Sequence, residues 1–226
     1  MHHTIPLFTR LFMVLLASLG IAVPIAAQGN PAQLTSLAVE LWPDYDRPAM
    51  LVLLTAALPQ DTPLPATLSL PIPAGAEIHA VASFNETGAL MSDVDYTIEN
   101  GQITLTTPAN RFRVEYYSPY QVEGDEYSYT FNWTSDLPIE QVTTVVQQPV
   151  AAREFRIDPA ATSSAAERGD GLTYHTLPAR SVSAGEPFTV VITYSADAPV
   201  LSAPSQTALN ENSGTTTAAT ANTSGI

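Results

Sequence analysis

The chain of 226 residues contains no cysteine and no lysine. The absence of cysteine excludes disulfide scaffolds, thiolate zinc sites, iron–sulfur clusters and cysteine nucleophiles. Its eight basic residues are all arginine, and they stand against 22 acidic residues for a formal net charge of -14. Such a charge opposes binding to nucleic acid and to anionic lipid surfaces, because both depend on cationic side chains. We therefore expect no nucleic-acid partner.

Recognisable catalytic motifs are also missing. The sequence has no G-x-S-x-G nucleophile turn, no H-E-x-x-H zinc motif and no phosphate-binding loop. After the N-terminal region only His79 and His175 occur, and strand alternation places both on polar faces. We interpret them as surface side chains. Carboxylates are plentiful, so a pair ~5 to ~9 Å apart for glycoside hydrolysis stays open as the less favoured alternative.

Residues 1–27 have the composition of an export signal. Arg10 precedes an apolar run over residues 11–27, and small residues then offer cleavage after Ala27 or Gly29. The run is short for a spanning helix and Pro24 interrupts it, which favours a cleaved signal over an uncleaved anchor. We expect an extracytoplasmic protein, secreted or associated with the cell envelope, that contacts a membrane only if this segment is retained.

The composition divides the rest of the chain into three parts. Residues 28–33 form a short linker, and residues 34–198 carry the alternating pattern of a folded domain. Residues 199–226 are rich in Ser, Thr and Ala, with Glu211 as their only charged side chain. Such a segment buries too little apolar surface to offset its ordering entropy, which predicts a disordered tail or tether.

The middle of the chain repeatedly alternates apolar and polar residues, as strands with one solvated face do. Turn residues separate the candidates. The predicted strands are 34–42, 50–58, 66–72, 77–84, 95–99, 102–106, 111–117, 126–134, 141–148, 153–157, 172–177 and 187–194. Residues 158–168 are a helix or a loop. The pattern predicts an all-β fold, an antiparallel two-sheet sandwich of immunoglobulin-like or jelly-roll type with about ten to twelve strands.

Two local features are sharper than the rest. Asn100-Gly101 predicts a two-residue hairpin that pairs Glu99 with Gln102 and Ile98 with Ile103. The strand at 126–134 alternates four aromatic residues with small polar ones, and we expect the aromatic side to face the core. Those aromatic residues are Tyr127, Tyr129, Phe131 and Trp133.

Aromatic residues near turns are the best candidates for ligand contact. Trp42 and Tyr45 stand in a polar turn, and Trp42 is out of phase with the apolar residues of its strand. Tyr117 and Tyr120 flank another turn. Exposed aromatic rings beside Asp or Asn are typical of sugar binding, in which rings stack and polar groups bond to hydroxyls. Structural capping of the sheet ends is the alternative.

Acidic turns are candidates for a calcium site, because calcium is bound by carboxylate and carbonyl oxygens. The two clusters that we select are Asp44 with Asp46, and Glu123 with Asp125. Neither matches the D-x-D-x-D-G loop, so ordinary charged turns are the competing interpretation. No other cofactor is predicted.

The export signal, the Thr-, Val- and Tyr-rich alternating strands and the Ser/Thr tether together resemble immunoglobulin-like and carbohydrate-binding modules of secreted bacterial proteins. The resemblance covers about residues 34–197 and rests on pattern. It implies a non-catalytic module that binds an envelope polysaccharide or a surface protein. A structural spacer without a ligand, and a small carboxylate-dependent glycoside hydrolase, are the alternatives.

Overall fold

The computed structural model describes residues 31–166 and 171–203. The predicted export signal and residues 204–226 of the predicted tail lie outside the described residues, whereas residues 199–203 of that tail are described. Within those ranges the backbone forms strands and no helix, so no helix in them spans a membrane.

In chain order the strands are β1 (Leu34–Pro43), β2 (Met50–Ala57), β3 (Ala66–Pro71), β4 (Glu77–Phe84), β5 (Leu90–Met91), β6 (Asp95–Glu99), β7 (Gln102–Thr107), β8 (Arg111–Ser118), β9 (Gln121–Glu123), β10 (Glu126–Trp133), β11 (Ile139–Gln147), β12 (Arg153–Asp158), β13 (Ser163–Ala165), β14 (Tyr174–Thr176), β15 (Arg180–Val182) and β16 (Phe188–Ser195). All twelve predicted strands are present, with each end within two residues of the prediction.

The remaining four strands, β5, β9, β13 and β15, are only two or three residues long. Such short strands carry no readable alternation, which is why the sequence pattern does not show them. β13 lies inside residues 158–168, where a helix was one of two interpretations. The helix is wrong for the described part of that segment, because Asp158 ends β12 and Ser163–Ala165 pairs with β14.

The strands form three sheets rather than the predicted two. A nine-stranded sheet has the order β13-β14-β11-β1-β2-β8-β4-β5, with β15 also paired to β11. A four-stranded sheet has the order β12-β16-β10-β9, and a three-stranded sheet has the order β3-β7-β6. The described fold is therefore all-β with several sheets, consistent with a β-sandwich.

One pair departs from the predicted antiparallel arrangement. β1 and β11 are parallel, with Leu34 opposite Ile139 and Leu41 opposite Val146. The chain leaves the four-stranded sheet after β10 and enters the nine-stranded sheet as β11, so the pairing joins segments about a hundred residues apart. Local alternation reports which face of a strand is buried and says nothing about the direction of a distant neighbour.

Apolar residues from all three sheets contribute to one core. The predicted aromatic side of β10 faces it, and Phe131 and Trp133 are only 2% and 1% exposed. β16 packs its apolar side chains there as well, through Phe188, Val190 and Ile192. Since the polar residues of both strands point away, the expected one-sided pattern is confirmed for this sheet.

The Asn100-Gly101 hairpin has the predicted register. Glu99 lies opposite Gln102 and Ile98 opposite Ile103, and the two turn residues have positive φ values of 52° and 75°. The left-handed conformation suits Gly and Asn because other side chains clash there with the backbone. The turn therefore sets the pairing of β6 with β7.

We expect Gly101→Ala to lower the free energy of unfolding by about 1 kcal/mol, because an L side chain is strained at positive φ. The added Cβ would meet no atom closer than the Ile72 carbonyl oxygen at 3.6 Å, so steric overlap adds little. Urea denaturation measures the loss. Gly101→Asn is the matched control, since Asn tolerates this conformation, and equal losses for the two variants would contradict the explanation.

Candidate ligand-binding site

The face of β2 that points away from the core is covered as well. Leu51 and Leu53 are 4% and 5% exposed, although they alternate with the core residues Val52 and Leu54. They form a separate apolar cluster with Tyr117, on which Trp42, Tyr45 and Ala49 pack. We call this cluster the outer-face layer. It gives the nine-stranded sheet a second apolar surface opposite the core.

Trp42 and Tyr45 are the partly exposed rings of the outer-face layer. Their centroids are 5.0 Å apart and their planes are inclined by 55°, so together they form an angled shelf. Tyr174 of β14 contacts Trp42 edge-on at 6.4 Å. Between the two shelf residues Asp44 has a positive φ of 54°, which turns the chain so that Tyr45 lies back against Trp42. We call Trp42 and Tyr45 together the aromatic shelf.

Tyr117 belongs to the same layer, but it is buried at 4% exposure. The Arg47 guanidinium lies 3.7 Å above its ring, and its hydroxyl donates to the Asp46 carboxylate at 2.7 and 2.9 Å. Burial, together with the bond to Asp46, raises the pKa of Tyr117 to about 12. The prediction of an exposed Tyr117 is wrong, because the arginine from the β1–β2 turn covers the ring.

Tyr120 lies elsewhere and packs on the main core, with an edge contact to Tyr127 at 5.4 Å. Its hydroxyl donates to Oδ1 of Asp44 at 2.8 Å, and the Tyr194 hydroxyl donates to Oδ2 at 2.9 Å. Asp44 is 1% exposed, and burial raises its pKa although both hydroxyls stabilise the ionised form. Burial and the nearby carboxylate also raise the pKa of Tyr120 and Tyr194. Tyr120 is thus part of a buried hydrogen-bond network around the Asp44 carboxylate.

At the first predicted calcium cluster, Asp44 with Asp46, both carboxylates accept hydrogen bonds from tyrosine hydroxyls. Each oxygen of Asp44 accepts a tyrosine hydroxyl, and Asp46 is bonded to Tyr117. Asp125 forms an ion pair of 3.6 Å with Arg153 at the edge of the four-stranded sheet. Across residues 31–166 and 171–203 no three acidic or histidine side chains are placed to hold a metal ion. Asp44 and Asp46 thus act as hydrogen-bond acceptors in the β1–β2 turn, whereas Asp125 takes part in an ion pair.

Glu123 instead lines an open hollow of about 450 Å³ on the four-stranded sheet. Glu126 and Glu154 also line it, together with Arg156 and the hydroxyl-bearing side chains of that sheet's solvated face. The hollow is polar, and it lies on a different sheet from the aromatic shelf. Nothing links the two features into one site.

The two histidines differ. His79 is exposed, as expected, and lies edge-on to Tyr117 at 5.4 Å. His175 is partly buried: its Nε2 donates to Oε1 of Gln148 at 3.0 Å, and its Nδ1 is 2.7 Å from the Ser164 hydroxyl. Burial lowers its pKa. The surface interpretation of His175 is wrong, because strand alternation does not show that β13 and the Gln148 loop enclose it.

Comparisons with known proteins identify no family. No protein-family description and no curated protein matches the chain. Among solved structures 81 chains match. One of them, a crystal structure from Parabacteroides distasonis described as a candidate protease, is 9% identical with a TM-score of 0.36. The match covers 75% of this chain and 41% of that one, so the chain spans less than half of that protein's length.

Asp44→Ala is expected to lower the free energy of unfolding by about 3 kcal/mol, because the hydroxyls of Tyr120 and Tyr194 lose the carboxylate that accepts from them and Ala is strained at positive φ. Urea denaturation measures the loss. Asp46→Ala is the control, since it removes one bond at an exposed carboxylate and should cost about 1 kcal/mol. A loss for Asp44→Ala no larger than the control's would contradict the network's role.

Stability should depend on pH through His175. Its pKa is lowered on folding, so the unfolded chain binds more protons over the interval between the folded pKa and the ordinary value of 6.5. The contribution of neutral His175 to folding stability is fully present above pH 6.5 and is lost as the pH falls toward the folded pKa. Urea denaturation between pH 7.5 and 5 should show that the free energy of unfolding falls more steeply with falling pH for the native protein than for His175→Gln. An equal fall in the free energy of unfolding for both proteins would contradict the assignment of this pH dependence to His175.

Proposed function

We propose that the protein is an exported, non-catalytic module of the cell envelope or extracellular space, a β-sandwich of immunoglobulin-like or jelly-roll type that binds a glycan on its aromatic shelf. The observation that carries the proposal is the pair of partly exposed rings, Trp42 and Tyr45, on the outer face of the nine-stranded sheet. They are two of the four aromatic residues selected from the sequence, and the other two are occupied in packing.

The shape of the shelf supports a small ring-shaped ligand. Because the two planes are inclined by 55°, a sugar that stacks on the face of one ring meets the other at an angle. The apolar faces of sugars stack on aromatic rings such as these. The shelf therefore suits one or two sugar units at the edge of a chain more than a long flat polymer surface.

The floor beneath the shelf holds the rings in position. Leu51, Leu53 and Tyr117 are almost fully buried below them, and Tyr174 supports the far side of Trp42. Side chains that are already immobile lose little conformational entropy when a ligand binds. A rigid, partly exposed aromatic pair is therefore more favourable for binding than mobile surface rings would be.

Charged groups beside the shelf supply hydrogen-bonding partners for hydroxyls. Asp46 is exposed apart from its bond to Tyr117, and Arg47 forms an ion pair of 3.2 Å with Glu77. Carboxylate oxygens accept from sugar hydroxyls, and guanidinium N–H groups donate to them. The Arg47 charge is balanced by Glu77, so a neutral sugar fits this surface better than an anionic one.

The same shelf would also serve a protein ligand, because Trp, Tyr and Arg are the residues that most often dominate protein interfaces. The absence of the nucleophile, zinc and phosphate-loop motifs from the sequence favours binding over catalysis. A surface protein is accordingly the second candidate ligand, and a spacer without any ligand is the alternative to both.

The deciding experiment incubates the purified protein with insoluble neutral polysaccharides and with isolated cell-envelope material, with and without calcium. We expect retention on a polysaccharide, and we expect Trp42→Ala and Tyr45→Ala each to weaken it about tenfold, because each removes a stacking surface. Val122→Ala is the control, since Val122 is an exposed apolar residue of the four-stranded sheet, 49% exposed, and lies outside the shelf. Thermal melting verifies that the variants fold.

Failure of all polysaccharides to retain the folded protein, together with no binding of soluble neutral oligosaccharides in calorimetry, would refute the glycan proposal. Retention by envelope material alone, lost after protease treatment of that material, would favour a surface protein. Retention that requires calcium would restore the acidic turns as candidate ligands. Equal retention of Trp42→Ala and Val122→Ala would place the binding site away from the shelf.

A further inference from the structure

β6 is an open edge of the three-stranded sheet. Within the described ranges it pairs with β7 and with no other strand. In a two-residue hairpin the residues that flank the turn form a hydrogen-bonded pair, here Glu99 and Gln102. Since bonded and non-bonded pairs alternate, the backbone N–H and C=O groups of Tyr96 and Ile98 point away from β7 toward the open side. These groups are available to a further strand.

The core-side surface of this sheet is left uncovered at β6. Tyr96 and Ile98 are 45% and 49% exposed, whereas Leu105 and Ile103, directly opposite them on β7, are fully buried. At the other edge of the sheet, the apolar side chains of β3 are buried. Among the described residues of this three-stranded sheet, the apolar surface thus continues past the end of the core at β6. An added strand would place its own apolar side chains beside Tyr96 and Ile98 and cover them.

The charges at the ends of β6 oppose pairing with a second copy of the chain. In an antiparallel pair centred on Thr97, Asp95 of one copy would lie opposite Glu99 of the other, at both ends of the contact. Like charges directly opposite each other destabilise a sheet, and charged edge residues are a common protection against self-association. The net charge of -14 adds a general repulsion between copies.

The same charges attract a basic strand. We propose that β6 is a docking edge for an extended segment of a partner protein, which adds to the sheet as a fourth strand. The segment has apolar side chains opposite Tyr96 and Ile98, and Lys or Arg opposite Asp95 and Glu99. Backbone hydrogen bonds to Tyr96 and Ile98 hold it, and the charges at the two ends set its register. This site is independent of the aromatic shelf, which lies on the nine-stranded sheet.

The first test uses two labelled synthetic peptides with the purified protein. One has the core Lys-Val-Thr-Val-Lys, and the other has Glu in place of both lysines. Fluorescence anisotropy should show at least about fivefold tighter binding of the lysine peptide, because two cross-strand charge pairs change from attractive to repulsive. The double variant Asp95→Lys/Glu99→Lys should reverse this preference. Equal binding of both peptides, or no binding of either to the folded protein, would overturn the proposal.

The second test examines the backbone. Ile98→Pro removes an outward N–H and an apolar side chain while leaving the bonds to β7 in place, since proline is tolerated at edge positions whose N–H faces solvent. It should abolish binding of the lysine peptide. Ile98→Val is the matched control and should retain binding, with thermal melting as the check on folding. Unchanged binding to Ile98→Pro would show that the peptide does not add to this edge.

A final measurement separates the proposed partner from a second copy. Asp95→Asn/Glu99→Gln removes the repulsion between copies. Sedimentation should show the native protein as a monomer and this variant as at least as associated, because the native charges protect the edge against a second copy. Dimerisation of the native protein, reversed by Ile98→Pro, would identify a second copy as the occupant and would overturn the assignment to a basic partner.

Discussion

The buried carboxylate of Asp44 joins two sheets of the structure. Asp44 stands at the end of β1 in the nine-stranded sheet, while Tyr120 and Tyr194 come from the segments that form the four-stranded sheet. Removing a carboxylate from water is costly, and two hydroxyl donors offset that cost only if they are held in place. Because Tyr194 is also stacked on Tyr127 at 5.0 Å, the network is rigid on the side of the four-stranded sheet.

The aromatic shelf depends on the same residue. The positive φ of Asp44 reverses the chain between Trp42 and Tyr45, and its side chain fixes the turn to the opposite sheet. The same turn also covers the outer-face layer, since its Arg47 lies over the Tyr117 ring and its Ala49 packs on the cluster. A surface feature is in this way determined by a buried polar contact.

Much of the strand pattern could be predicted from the sequence, because alternation and turn residues are local. The ends of β4 and β6 and the register of the β6–β7 hairpin follow from those signals alone. The parallel pairing of β1 with β11 does not, since it depends on segments far apart in the chain. The burial of Tyr117 was equally inaccessible, because the covering side chain comes from another turn. Two of the four aromatic candidates, Tyr117 and Tyr120, pack against other side chains, whereas Trp42 and Tyr45 are partly exposed.

The last described residues return to this turn. The Ser202 N–H donates to the Asp44 carbonyl at 2.9 Å, and the Ala203 N–H donates to the Tyr45 carbonyl at 2.8 Å. The Ser202 hydroxyl also accepts from Nε2 of Gln147 at 2.6 Å. Tension applied to the chain beyond Ala203 would therefore be borne first by the backbone of the residues that shape the shelf. The mechanical anchor and the aromatic shelf share one turn, so a pull on the chain would reach the shelf before it reached the apolar core.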